Sequence, residues 1–473
     1  MAPIRWYCAF LLVLTLPAAA ARAAAPLPPT NAPENPFMAA NPNSNIHDDT
    51  WMTDTYDRAG PIGRNLQTQS GLYPPSLCGS LAFDTAGRIV SVCPSLVTPP
   101  VARIIDPKTL AVLGSYTMPT APDPAGTKAY QNFTGGGYFF LDRQDRLWSA
   151  TKTSHLFVLA EQPGGTGFDK VADYDLTGVL SSDERVTSAL PDFQGRIWFV
   201  SKKDGKVGIL DPKTGKIAVL QLGEEVENSF AVDRKAVYIV SDKRMYRFSV
   251  RDDRPHVDWR VTYRNSGIVK PSQVDAGSGT TPTILRGGFV AITDNADPMD
   301  VVVYRTALKL KKGRHRVVCQ VPVFGKGASA TENSLLGTGR SLIVENNYGY
   351  QDPFSPSLTT NLTTPGFARV DINAKGTGCR RVWTNTTDAS PTVVPKLSTK
   401  TGLIYAYDHQ DDGSGSPAWM WTAIDYRTGA NVFRTTASTN SLGGNNNYAG
   451  LAIGPDGTAY LGTLGGMEAL RDG

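Results

Sequence analysis

Between Leu77 and Gly473 the chain repeats one pattern eight times: an apolar run, a tight turn, a second apolar run, then a polar break before another pair of strand-like segments. The turns can be read directly. Leu81 to Val90 encloses Asp84 and Gly87, Phe140 to Trp148 encloses Asp142, Leu190 to Trp198 encloses Asp192 and Gly195, and Phe230 to Tyr238 encloses Asp233. The later copies run Leu285 to Val290, Leu335 to Ile343, Leu397 to Tyr405 and Ile453 to Tyr460. Asp and Gly belong in such turns because they tolerate positive φ or bond their own backbone. The flanking β-branched and aromatic residues favour strands. A recurrence of about 40–60 residues is that of four-stranded propeller blades, and a blade buries its faces only by stacking on its neighbours. The pattern predicts an all-β chain folded as a β-propeller of eight four-stranded blades, with seven as the alternative count. Trp148, Trp198, Tyr238 and Phe289 recur in second strands and read as core between blades. Residues 45–473 form one domain, closed by pairing a segment near Trp51–Leu66 with the last repeat, which removes exposed sheet edges.

The start of the chain departs from this pattern. Arg5, an apolar run from Trp6 to Leu16 and the small-residue site Ala21-Arg22-Ala23 make residues 1–23 a signal peptide. Residues 24–44, rich in Pro, Ala and Asn, read as an extended leader. The apolar run is too short to span a bilayer as a mature helix. The expected location is therefore secreted or periplasmic, with no membrane span. Lysine and arginine number 47 against 43 acidic residues, so nothing in the balance argues for nucleic acid or an anionic membrane surface. Cys78 and Cys93 stand equidistant from the Asp84–Gly87 turn, and a disulfide between them suits an oxidising compartment. Its short loop is worth about 3 kcal/mol on the chain-entropy account. Cys319 and Cys379 hold similar late positions in repeats five and six; outer strands of neighbouring blades diverge, and their pairing stays open.

In a propeller, the loops leading into the innermost strands line the central pocket, and the loops after the second strands reach the same face. The chain places Glu227-Asn228-Ser229, Glu332-Asn333-Ser334 and Gly444-Asn445-Asn446-Asn447 in the first class. Asp294-Asn295, Glu345-Asn346-Asn347 and Asp408-His409 fall in the second. Converging carboxylate and carboxamide oxygens are the ligands Ca²⁺ takes. Zinc would call for His and Cys, and the chain has only five histidines. The competing reading is that these residues bond their own backbones in turns, as Asn, Asp and Ser commonly do. His47-Asp48-Asp49-Thr50-Trp51 either packs the leader onto the propeller or contributes a ligand where the leader crosses the pocket face. No Gly-x-Ser-x-Gly elbow, phosphate loop or dinucleotide fingerprint occurs.

The Glu, Asn and Asp set resembles that of the calcium-dependent propeller hydrolases, the paraoxonases and gluconolactonases. That resemblance implies an axial calcium that polarises a lactone or ester carbonyl. Its implied ligands are Glu227, Asn228, Asp294, Asn295, Glu332, Asn333, Glu345 and Asn346, with Asp408 and His409 as the catalytic acid–base pair. A second resemblance competes. Ala418 to Phe433, with Trp419, Trp421, Asp425 and Gly429, is similar to the tryptophan-docking repeat of quinoprotein propellers, and Asp106-Pro-Lys-Thr109 and Asp211-Pro-Lys-Thr214 are shorter copies. It implies an exported oxidoreductase with a quinone beside calcium. The Asp-x-x-Thr turn is also ordinary hairpin chemistry. The sequence thus points to a small-molecule ligand or substrate in an axial pocket: a calcium-dependent hydrolase, with a non-catalytic ligand- or protein-binding propeller and a quinoprotein oxidoreductase as alternatives.

Overall fold

The computed structural model describes residues 26–95, 97–125, 127–128, 132, 134–354, 361–439 and 442–473. The expected signal peptide lies outside the described residues. Eight four-stranded antiparallel blades follow one another around an axis, spanning residues 82–117, 139–175, 186–221, 231–262, 283–322, 336–385, 396–438 and, with Gln67–Leu72 as its fourth strand, 452–471. We number them blades 1 to 8. The eight-bladed count is the observed one. Apart from a 3-10 turn at Pro163–Gly165, the described residues form strands and loops.

The turns form for the reasons their residues suggest. In blade 2 the Asp142 carboxylate accepts hydrogen bonds from the Gln144 and Arg146 amides at 2.9 and 3.1 Å, from Arg146 Nε at 2.7 Å and from Trp148 Nε1 at 2.9 Å. Asp192 does the same in blade 3, with Arg196 Nε at 2.7 Å and Trp198 Nε1 at 3.1 Å. One aspartate thus closes the hairpin and orients the aromatic residue that packs between blades. Asp425, in the turn between the third and fourth strands of blade 7, accepts the Arg427 and Thr428 amides at 2.7 and 3.0 Å. The Asp-x-x-Thr copies are therefore hairpin devices. Trp148, Trp198, Tyr238 and Phe289 are all buried.

Closure differs from the expected register. The outermost strand of blade 8 is Gln67–Leu72, which pairs antiparallel with Gly466–Arg471, from Gln67 opposite Arg471 to Leu72 opposite Gly466. The segment near Trp51–Leu66 does not close the ring. Residues 44–56, which continue the leader and are counted with it from here on, instead lie along the innermost strands at the axis. There the leader's carbonyls accept amides from the innermost strands: Ser44 from Leu141, Thr50 from Val232, Trp51 from Ile284, Thr53 from Gly337 and Asp54 from Leu397. Thr55–Tyr56 adds a short parallel strand to blade 7, opposite Leu397 and Ser398. Five blades are tied through one peptide segment.

Both cysteine pairs are bonded. Cys78–Cys93 staples the hairpin of blade 1, with Cα atoms 4.2 Å apart. Cys319–Cys379 joins the outer strands of blades 5 and 6 across 5.8 Å, so those strands do approach one another at this point. Two such bonds suit an oxidising compartment. No helix among the described residues is long and apolar enough to cross a membrane.

Candidate functional site

The leader leaves a cavity of about 50 Å³ on the axis, where the chain enters the innermost strands. That is room for a few waters, an ion or the head of a small ligand. Ile46 and His47 of the leader face it from the channel side, and its wall includes Tyr138 of blade 2, Glu227 and Asn228 leading into blade 4, and Glu332, Asn333 and Ser334 leading into blade 6. Four of the expected oxygen donors therefore line one cavity.

Their surroundings are not alike. Glu227 stands 2.6 Å from Lys202 Nζ, in an ion pair off the line of a good hydrogen bond. Asn228 donates to the Ser278 carbonyl at 3.4 Å and accepts from the Tyr138 hydroxyl at 3.3 Å. Glu332 has a buried Oε1 without a hydrogen-bond partner among the described residues, as has Asn333 through its Oδ1. Burial, reinforced by the nearby Asp275 and Glu227 charges, pushes the Glu332 carboxyl well above the usual range. Asp275 is pushed up to about 7 by burial first and then by the Glu227 and Glu225 charges. Gly279 permits the close fit, since a Cβ there would stand 2.1 Å from the Thr331 carbonyl and 2.6 Å from Glu332 Oε1.

His47 is the group that the sequence left undecided. Its Nδ1 lies 3.0 Å from both carboxylate oxygens of Asp54, and its Nε2 lies 3.5 Å from Ser334 Oγ. With Nδ1 donating to the Asp54 carboxylate, Nε2 is the ring nitrogen turned toward Ser334. Asp54 also accepts from Lys396, whose ammonium reaches the Ile46 carbonyl and stands 3.7 Å from Asp48. Burial alone would push the Asp54 carboxyl up, but the His47 and Lys396 charges and hydrogen bonds outweigh it and hold it below its ordinary value. Asp48, Met52 and Asp54 take left-handed φ values of 72°, 57° and 53°. Such conformations cost on the order of 1 kcal/mol each for residues with a Cβ. The leader is held in this shape by its partners.

The remaining expected residues stand outside this lining. Asp294 accepts the Ala296 and Asp300 amides at 3.1 and 2.8 Å, closing a turn in blade 5. Asn295 donates to Asn265 Oδ1 at 3.1 Å and to the Ile268 carbonyl at 3.0 Å. Asn346 bridges the Ala330 amide and the Ala328 carbonyl. Glu345 sits one step behind the pocket, accepting from Asn333 Nδ2 at 3.1 Å. Asp408 and His409 are neighbours on the strand Leu403–Asp411 of blade 7, so their side chains leave opposite faces. Asp408 accepts from Thr422 at 2.6 Å, while the His409 ring lies 4.6 Å from that of Trp419. Burial lowers the His409 pKa to about 4. Sequence reasoning passed over Tyr138, Lys202, Asp275 and Lys396. Three successive titratable side chains, His47-Asp48-Asp49, in a segment without strand periodicity, were the available signal.

The donor set suits a hard cation: two carboxylates and two carboxamides, with free oxygens on Glu332 and Asn333. Among the described residues, no three His, Cys, Asp or Glu side chains are placed to share a metal, so such an ion would lean on the carboxamides.

Comparison with known proteins places this chain among propellers. No family model matches it. An uncharacterised protein of Archaeoglobus fulgidus is 26% identical over 94% of this chain and 91% of its own length. The quinohemoprotein alcohol dehydrogenase of Comamonas testosteroni superposes with a TM-score of 0.59 at 10% identity, covering 93% of this chain and 81% of that one. The quinohemoprotein alcohol dehydrogenase ADHIIG of Pseudomonas putida HK5 gives 0.52 at 10% identity, over 92% and 80%. At that identity the likeness is one of fold.

Proposed function

We propose that the protein is an exported hydrolase of small esters or lactones, working in the axial pocket with His47 as its acid–base group. The observation that carries this reading is His47 facing the cavity, held by Asp54 at Nδ1 and open at Nε2. An imidazole so placed, in its unprotonated form, takes a proton from an attacking hydroxyl and returns it to the leaving oxygen. In this reading the acid–base role falls to His47 in place of Asp408 and His409. Glu227, Asn228, Glu332 and Asn333 are the residues that would hold calcium, which when bound would polarise the acyl oxygen. The small cavity selects short acyl groups.

The test uses the full mature chain with 4-nitrophenyl acetate and γ-butyrolactone, with and without chelator. Turnover by the wild type that falls about 100-fold or more in His47→Gln supports the assignment. Absence of turnover, or a His47→Gln variant as active as the wild type, overturns it. The free oxygen of Glu332 favours a second reading, in which the pocket holds a small cation without chemistry. Calcium-dependent melting without turnover would select that reading.

A further inference from the structure

Glu332-Asn333-Ser334 ends on a hydroxyl that no ordinary structural role accounts for. Ser334 is 6% exposed, lines the cavity, and has His47 Nε2 as its hydroxyl's neighbour at 3.5 Å. Behind the ring, Asp54 takes Nδ1 at 3.0 Å. The three residues come from two distant places: the leader supplies the ring and the carboxylate, and the loop into blade 6 supplies the hydroxyl, 287 residues later. A nucleophile beside a base, with the base turned by a third group, is the arrangement that activates a serine whatever the fold. A separation at the outer edge of hydrogen-bond length is usual before substrate binds. The equivalent serine of blade 4, Ser229, makes instead a 2.8 Å bond to Ser188.

Resting on the hydrolase reading above, we infer that Ser334 is the nucleophile of a two-step acyl transfer. Ser334 Oγ attacks the acyl carbon while its proton passes to His47 Nε2. The bond from that carbon to the leaving oxygen breaks, and His47 returns the proton to the departing alcohol. Water then attacks the acyl-serine ester, giving its proton to His47. The carboxylic acid leaves as Oγ recovers a proton from the ring. Ester and water become acid and alcohol with nothing oxidised or reduced. Asp54 acts through His47 and is a positioning residue. The substrate class is short-chain: an acetyl or similar acyl group fits the cavity, and a long one does not.

The probe is methanesulfonyl fluoride, small enough for the cavity, which transfers its methylsulfonyl group to an activated serine and releases fluoride. The full mature chain is incubated with it, and the adduct is located by peptide mass spectrometry. The expected result is one adduct on Ser334, formed about 100-fold more slowly in His47→Gln and absent from Ser334→Ala. Asp54→Asn should slow it, with Asp54→Glu restoring part of the rate although both variants melt below the wild type, since Asp54 is also the buried partner of Lys396. No adduct on Ser334, or modification indifferent to His47, overturns the inference. Ester turnover that needs His47 but survives Ser334→Ala also overturns it, while leaving the hydrolase reading intact, since water would then attack directly. Specific labelling of Ser334 without turnover of any ester supports the activated serine and removes the hydrolase reading. Ser334→Cys, if Ser334→Ala fails to fold, should carry the modification on its thiol.

Discussion

The loops leading into blades 4 and 6 carry the same three residues, Glu-Asn-Ser, at equivalent places, yet they have different chemistry. In blade 4 every member has a close partner: Glu227 is ion-paired with Lys202, although its Oε2 makes no hydrogen bond, Asn228 meets Tyr138 and Ser278, and Ser229 meets Ser188. In blade 6, Glu332 and Asn333 each keep an unpartnered oxygen, and Ser334 faces His47. The tripeptides do not explain the difference. Their neighbours do: blade 3 sends a lysine toward the first, and the leader sends a histidine toward the second. A motif read along the chain gives the donors; only the fold says which of them are free.

The comparison breaks most completely if the leader is unseated. Lys396 is fully buried against Asp54 and Asp48. Lys396→Met would leave two buried carboxylates without a counter-charge and should cost about 3–5 kcal/mol. Denaturant melts read this directly, and an unchanged midpoint would mean that the charge network does not hold His47. A pH series gives the next largest effect. Burial pushes Asp49 of the leader up to about 7, despite the hydrogen bonds it accepts from Thr53 and Trp51. An unfolded aspartate titrates near about 4. The folded state therefore holds this proton more tightly: its contribution is full below about 4 and is lost as pH rises through about 7. The slope across that window is at most about 1.4 kcal/mol per pH unit. Asp49→Asn should remove one such share, and an unchanged slope would discard this assignment.

The two glutamates should then answer oppositely. Glu227→Gln leaves Lys202 without its counter-charge in a largely enclosed site, at a cost of about 1–2 kcal/mol. Glu332→Gln, in chelated buffer, removes a carboxyl that burial and like charges already oppose; it should be neutral or stabilise by up to about 1 kcal/mol. Added calcium should raise the melting temperature of the wild type and not of Glu332→Gln. Equal losses in both variants would erase the distinction between the loops.

The blades were legible because their signals are local. Asp142 closes its own turn and holds Trp148 six residues on, so a few residues carry the whole instruction. The closing strand Gln67–Leu72 was not legible, since an outermost strand is mostly exposed on both faces and shows no apolar alternation. The leader hid for another reason: left-handed residues at 48, 52 and 54 break any period, and its hydrogen bonds are made to strands far along the chain. In the site, residues placed just before innermost strands (Glu227, Asn228, Glu332, Asn333) reached the pocket. Those placed after second strands were taken up elsewhere: Asp294 closes its own turn, and Asn346 is tied to Ala328 and Ala330 in the loop before blade 6. His47 could be read as a charged residue in an unpatterned segment, but its meeting with Ser334 depends on the leader's path through the axis.

The smallest effect separates the two serines. Ser229→Ala removes one partner of the buried 2.8 Å bond to Ser188 and should cost about 1 kcal/mol, the usual price of such a loss. Ser334→Ala removes a hydroxyl whose contact with His47 is at 3.5 Å, too long to contribute much. Its stability should stay within about 0.5 kcal/mol of the wild type, the range of substitutions that break no strong contact. Chemical denaturation of both variants in parallel makes the measurement, because the residue change is identical and only the surroundings differ. A loss at Ser334 as large as that at Ser229 would mean that its hydroxyl is a structural donor after all. A loss confined to Ser229 leaves Ser334 as a buried hydroxyl kept at a histidine for something other than stability.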